Sequence, residues 1–272
     1  MSANSRGTWA LYFGAGLGFL LAGTALLAPW LSHWSAAAMD LPGELLGPSA
    51  LHFLGQDELG RDIWARLALG SRISLSIGIT VVSVSAVIGT ALGALCGYRG
   101  GFWDSALMRA IDVLQAFPGI LLAIALAYVL GPAYWNVVLA LSVLGWVGYA
   151  RLVRGQVLQL REEEFIQAAR ALGMGEARIL LRHLLPNLLG PLAVQCTFGL
   201  AAAILSESSL SFLGLGVQGV PSWGGMLDAG TDFLLVAPHV ALFPGTALFL
   251  TVLAFNFLGD ALRDRLGGKG RR

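Results

Sequence analysis

The sequence predicts an all-α, polytopic membrane protein with six transmembrane helices. Hydrophobic residues are 56% of the 272 and charged residues only 12%, whereas soluble domains run near a quarter charged. Several charge-free runs reach the roughly 20 residues that a helix needs to cross a bilayer. Lysine and arginine then sort almost entirely to one side of the spans so drawn.

The first run, 10–31, has 22 residues without a charge. That exceeds the apolar core of a secretory leader, so it reads as a span rather than a cleaved signal. The second run, 73–98, has 26 residues, and the third, 113–150, has 38, too many for one crossing. Gly131-Pro132-Ala133-Tyr134-Trp135 divides it into two helices and sets aromatic residues where an interface belt lies. The fifth span covers 188–206 and continues past Glu207 to about Phe212. The sixth lies within 233–259, from Ala241 onward.

With the N-terminus inside, 14 of the 17 Lys and Arg fall on inner segments, leaving only Arg61, Arg66 and Arg72 outside. Both termini and the insert 151–187 are therefore expected in the cytoplasm. The organisation expected is 1–71 for the N-terminal tail, first span and external segment. Residues 72–265 form a five-helix core carrying the insert, and 266–272 a cytoplasmic tail. Gly89, Gly93 and Gly97 recur every four residues on the second span, and Gly14 and Gly18 do so on the first. Small residues at this spacing let helix backbones approach closely, and packing within the chain is expected ahead of a subunit interface.

The insert is the informative polar stretch. Glu162, Glu163 and Glu164 suit the positive end of a helix. Phe165, Ala168, Ala169 and Leu172 then fall on one small apolar face. Gly173 and Gly175 bracket Met174 and allow the positive φ that ends a helix. A second helix follows, with Ala177, Leu180, Leu181, Leu184 and Leu185 as its apolar stripe and Arg178 and Arg182 on its polar face; Pro186 is expected to stop it. This describes a short helix, a glycine hinge and an amphipathic helix at the membrane surface. Connections within helical bundles typically take only about 2–8 residues, so an ordered insert of this length points to a docking partner.

These residues resemble the coupling motif of ABC-importer permeases: Glu-Ala-Ala, three residues, Gly, nine residues, Ile-x-Leu-Pro. Ala168, Ala169, Gly173, Leu185 and Pro186 match it in spacing; Gln167 stands in place of Glu and His183 in place of Ile. Gly55-Gln56-Asp57-Glu58-Leu59-Gly60-Arg61-Asp62 is similar to the signature before the second span of the dipeptide, oligopeptide and nickel permeases. Leu210-Ser211-Phe212-Leu213-Gly214-Leu215-Gly216, Pro221-Ser222-Trp223-Gly224 and the block 254–264 resemble further signatures of that subfamily. Together they cover about residues 50–265, and the modest external segment fits the C-type subunit.

The resemblance implies an ABC importer type I permease fold and a translocation subunit, not an enzyme. It implies as partners a second, B-type permease subunit, two ATPase subunits that use ATP and Mg, an extracytoplasmic substrate-binding protein, and membrane lipid. No cofactor is expected on this chain. The residues implied for ATPase coupling are Gln167, Ala168, Ala169, Arg170, Gly173, Met174 and Glu176. The expected cargo is a di- or oligopeptide, with nickel or another small solute as the alternative.

The residues themselves carry little catalytic chemistry. Gly267-Gly268-Lys269-Gly270 lacks the spacing and the Ser/Thr of a phosphate loop. His33, His52, His183 and His239 have no metal-ligand spacing, and Cys96 and Cys196 read as buried thiols. A net charge of +1 argues against nucleic acid as a partner. A secondary transporter driven by an ion gradient is the rival class. Such carriers usually hold midplane charges and two corresponding halves, and the span interiors here are free of charge. Glu207, near the outer end of the fifth span, is the one acidic candidate for the substrate path, since a charge within the bilayer is a functional hypothesis by default.

Overall fold

The computed structural model describes residues 32–267, together with residues 12, 14, 16–18, 23, 24, 26, 27 and 30. The expected first span, 10–31, lies largely outside them, as does the tail from 268. Among the described residues no strand forms beyond an isolated bridge between Gln56 and Asp62.

Helix α1 (Ile63–Arg99) starts well before the charge-free run because Asp62 caps it, its carboxylate accepting the Ala65 amide at 2.7 Å. It is about 55 Å long, against a hydrocarbon core of roughly 30 Å. Arg66 and Arg72 therefore ride on the helix outside its apolar stretch. Gly100, at φ +68°, ends it.

The third span departs from expectation. Helices α2 (Gly101–Gln115) and α3 (Gly119–Leu130) meet at an 82° bend. Pro118 causes it: it has no amide to donate, and it disfavours helical geometry at Phe117. Residues 113–115 thus belong to α2, and α3 is only about 18 Å long. Gly131, at φ +87°, ends α3, and the Asn136 side chain donates to the Leu130 and Gly131 carbonyls across the turn. Helix α4 (Tyr134–Leu160) then runs well past residue 150.

Helices α5 (Glu164–Ala171) and α6 (Glu176–Ile179) form the insert. A π turn at Leu180–Leu184 joins α6 to α7 (Leu185–Phe212). Residues 176–212 thereby form one 37-residue helix long and apolar enough to cross a membrane. This corrects two expectations. Pro186 lies two residues past the π turn, in the first turn of α7, and the helix runs on through it, so it does not stop the chain. The second insert helix is not a separate surface element but an extension of the fifth span. Helix α8 (Trp223–Thr231), unforeseen from sequence, is capped by Ser222 and anchored by Trp223, whose indole donates to the Leu67 carbonyl at 3.1 Å. Helix α9 (His239–Gly267) closes the bundle.

Four of these helices are long and apolar enough to span, or five if α2 and α3 count as one bent span. That is the count the described residues carry, one or two short of the expected six, with the expected first span largely outside them. The glycine spacing on α1 serves packing within the chain. A Cβ at Gly89 would stand 2.5 Å from the Trp146 carbonyl oxygen, and one at Gly93 2.5 Å from that of Ala150. Helices α1 and α4 therefore run parallel, nearly backbone to backbone. Gly14 likewise faces the α9 backbone at Ala254 and Leu258, whereas Gly18 meets nothing within 4 Å. The main core, including Ile77, Val81, Val137, Leu141 and Leu210, fills the space between α1, α4 and α7.

At the bundle end opposite the insert, the 55–62 signature folds as a buried polar loop. Asp57 is 3% exposed. One of its oxygens accepts the Leu59 and Arg61 amides, and the other receives Arg61 Nε at 2.8 Å and Arg66 Nε at 3.1 Å. Asp62, besides capping α1, lies 2.8 Å from His52 Nδ1.

Candidate functional site

The insert packs on the bundle through a different face from the one periodicity suggests. Ile166 and Ala169 are buried, with Val153, Val157, Ile179, Leu184 and Leu188 in the same cluster. Phe165, Ala168 and Leu172 instead turn outward, with Leu172 78% exposed. From α6 through the π turn, Leu184 is the one residue of the expected stripe that is fully buried, while Ala177 and Leu181 are exposed. Ile179, Leu184 and Leu188 point inward while Leu181 is exposed, because the π turn adds a residue to the repeat. A spacing of five, then four, is invisible to a 3.6-residue template.

The turn between α5 and α6 is tightly specified. Gly173, at φ +77°, donates to the Arg170 carbonyl, and Met174 donates to that of Ala169. This is the paired-bond ending of a Schellman motif, and Met174 packs against the buried cluster. Gly175 has φ −67°, so only the first of the two glycines uses a left-handed conformation.

Polar contacts fix the insert from below. Arg170 Nε donates to the Tyr98 hydroxyl at 3.2 Å, with its guanidinium 4.8 Å from that ring centroid. Arg99 pairs with Glu176 at 3.2 Å, and Arg161 donates to the Gly97 carbonyl. The Gln167 amide donates to the Glu162 carbonyl at 3.0 Å; a glutamate there has no donor to offer. His183 lies in the π turn, its carbonyl accepting from Asn187 at 2.6 Å. Beside the insert, Arg154 grips Asp104 near the start of α2 with two bonds of 2.5 and 2.6 Å. That fork holds the Asp104 carboxyl below its ordinary value, more than its modest burial raises it.

The candidate coupling residues thus gather in one place, on α5, the following turn and the start of α6. Gln167 and Ala168 face outward, Ala169 faces the core, and Arg170 and Glu176 reach back to α1. Glu207 lies at the far end of α7, about 45 Å away along the helix. It is 0% exposed and takes a hydrogen bond from Ser211 at 2.7 Å, with Ser208 at 3.4 Å. It lines no cavity described here.

Sequence reasoning missed a cavity of about 350 Å³ between α1, α3, α4 and α7. Ser85, Tyr149, Gln195 and Ser206 contribute its polar groups, and the rest of its lining is apolar or glycine. The signal was present as isolated hydroxyl and carboxamide side chains inside charge-free runs.

Comparison with known proteins places this geometry in a family. The sequence model for the binding-protein-dependent transport system inner membrane component matches residues 89–271, more than half of the chain. The chain belongs to that family. This transport component is 46% identical over 246 residues to the dipeptide transport system permease protein DppC of Alkalihalophilus pseudofirmus, spanning 90% of this chain and 81% of the relative. It is 48% identical over 252 residues to the glutathione transport system permease protein GsiD of Shigella dysenteriae serotype 1, spanning 92% and 83%. The fold is similar to that of a chain in inward-facing structures of the MetNI methionine ABC transporter. The TM-score is 0.59 at 19% identity, covering 76% of this chain and 96% of the other. The transport component is accordingly an all-α, multi-pass permease subunit of an ABC importer. It is not itself a catalyst, and membership of this family implies ATPase subunits, which use ATP, and other membrane subunits as its partners.

Proposed function

We propose that this chain forms half of the translocation path of a peptide importer, taking di- or oligopeptides delivered by an extracytoplasmic binding protein. The observation that carries the reading is the likeness, over nine tenths of the chain, to permeases named for dipeptide and glutathione transport. Both of those cargoes are small peptides. A B-type permease subunit is the second half of the path. The charge asymmetry supports an orientation with the insert end and both termini in the cytoplasm.

In this reading 151–187 is the coupling insert of a core spanning 72–265. Gln167, Ala168, Ala169, Arg170, Gly173, Met174 and Glu176 couple the chain to an ATPase, but with unequal tasks. Ala168 and Gln167 meet the partner, joined by Phe165 and Leu172, whose apolar side chains are otherwise left in water. Ala169, Met174, Arg170 and Glu176 fasten α5 to α1 and α4, so that a push on the outer face moves the spans rather than the insert alone. Packed elements shift between discrete arrangements, which turns such a push into alternating access. ATP and Mg remain with the ATPases. Glu207, fully enclosed, acts on the path through the end of α7 rather than by touching cargo.

The test is a complete importer in liposomes. Ala168→Glu or Leu172→Asp is expected to cut ATP-driven uptake of alanyl-alanine at least tenfold while leaving membrane insertion intact. Undiminished uptake with both changes would show that the ATPase docks elsewhere. If the unaltered importer carries nickel ions and no dipeptide, the cargo reading falls.

A further inference from the structure

The cavity between α1, α3, α4 and α7 lies midway along three spanning helices and holds polar groups with nothing to bind. Ser85 is 1% exposed and its hydroxyl has no hydrogen-bond partner. Tyr149 is 3% exposed, and the one polar group beside its hydroxyl is the Cys196 thiol, a weak hydrogen-bonding partner. Leaving a hydroxyl unsatisfied in an apolar interior costs on the order of 1–3 kcal/mol, so a cavity that holds Ser85 unpaired and offers Tyr149 only a thiol calls for a ligand. Two glycines clear space for them. A Cβ at Gly145 would overlap the Ser85 hydroxyl, and one at Gly199 the Tyr149 hydroxyl. The Gln195 amide nitrogen lies beside Gly148 at the same level.

Building on the peptide reading above, we infer that this cavity is a subsite for the backbone amide of the passing peptide. Hydroxyls donate to a peptide carbonyl, and the Gln195 carboxamide both donates and accepts, which suits an amide N–H and C=O together. No lining residue is charged, so the site reads the backbone and leaves the charged peptide termini to other parts of the path. Its remaining surface, with Val81, Ala123, Leu141 and Ala202, is apolar and admits side chains without selecting among them. A cavity of about 350 Å³ lies at the small end of ligand sites, the right scale for one or two residues of a peptide.

The test uses the complete importer in liposomes and compares uptake of alanyl-alanine with its depsipeptide, in which an ester oxygen replaces the amide N–H. The same binding protein serves every variant, so a change in the ratio belongs to this chain. Ser85→Ala and Gln195→Leu are each expected to lower the preference for amide over ester at least threefold. Ala202 is exposed to the cavity rather than packed. Ala202→Leu is expected to cut uptake of phenylalanyl-phenylalanine about tenfold relative to alanyl-alanine. A purely structural role would lower all substrates alike. Unchanged ratios, or uniform losses, would overturn the subsite and leave the cavity to a lipid chain or a partner's side chains. If the unaltered importer takes up no alanyl-alanine, the peptide reading fails and the subsite fails with it.

Discussion

Asp57 is enclosed at 3% exposure between two guanidinium groups and two backbone amides. Removing one member of a buried ionic group leaves the others uncompensated, at a cost of about 3–5 kcal/mol. Asp57→Ala should therefore lower the thermal unfolding temperature of the detergent-solubilised protein sharply, and an unchanged midpoint would mean that the loop is not the clamp described. Two glycines give a contrast of sign. Gly93→Ala forces a methyl against the Ala150 carbonyl and should destabilise by about 1–3 kcal/mol. Gly155, on α4, has nothing within 4 Å of an added Cβ. Gly155→Ala should stabilise by about 0.5–1 kcal/mol, the usual gain from removing a mid-helix glycine. Equal effects from the two changes would refute the close α1–α4 approach.

Among the elements, the π turn at Leu180–Leu184 sets which face of α6 meets the bundle. Deleting Leu181 would remove the extra residue and leave Ile179 four positions before Leu184, the spacing at which an ordinary α-helix puts both on one face, so Ile179 should stay in its cluster. The expected readout is unchanged trypsin cleavage at Arg161, Arg170 and Arg178 after that deletion, but faster cleavage there after Ile179→Asp, which removes the buried anchor itself; unchanged cleavage with Ile179→Asp would mean that Ile179 does not hold the insert. The same turn marks where sequence reading stopped. Long apolar runs and the glycine spacing were legible because each states a single local requirement. The inward face of the insert was not: Ile166 and Ala169 are three apart, but so are Phe165 and Ala168, and only the bundle decides which pair it covers. Pro118 lay in plain view within an uncharged run, yet run length alone cannot tell a bent pair from a straight span. Ser85 and Tyr149 are 64 positions apart, and nothing local joins them; their shared cavity follows from parallel packing of α1 and α4. Of the candidate site, then, the coupling segment was readable, while the division of labour within it required the fold.

For the whole molecule, the two ends of the bundle carry different chemistry: a pinned polar loop at one and a polar insert with exposed Phe165 and Leu172 at the other, with a neutral cavity between. The orientation drawn from lysine and arginine predicts that a fluorescent protein fused after Arg272 folds and fluoresces in cells, while alkaline phosphatase fused there stays inactive. The opposite pattern would invert the assignment of every segment. The short helix α3 carries a consequence of its own. At about 18 Å it falls well below a bilayer core of about 30 Å, and mismatch of this kind is relieved by local thinning or by cover from another protein. Tyr128 and Val129 near its end are about four-fifths exposed. Lipid thickness thereby becomes a variable acting on this one side of the subunit: a thicker membrane deepens the deficit at α3 while the long α1, α4 and α7 barely register it.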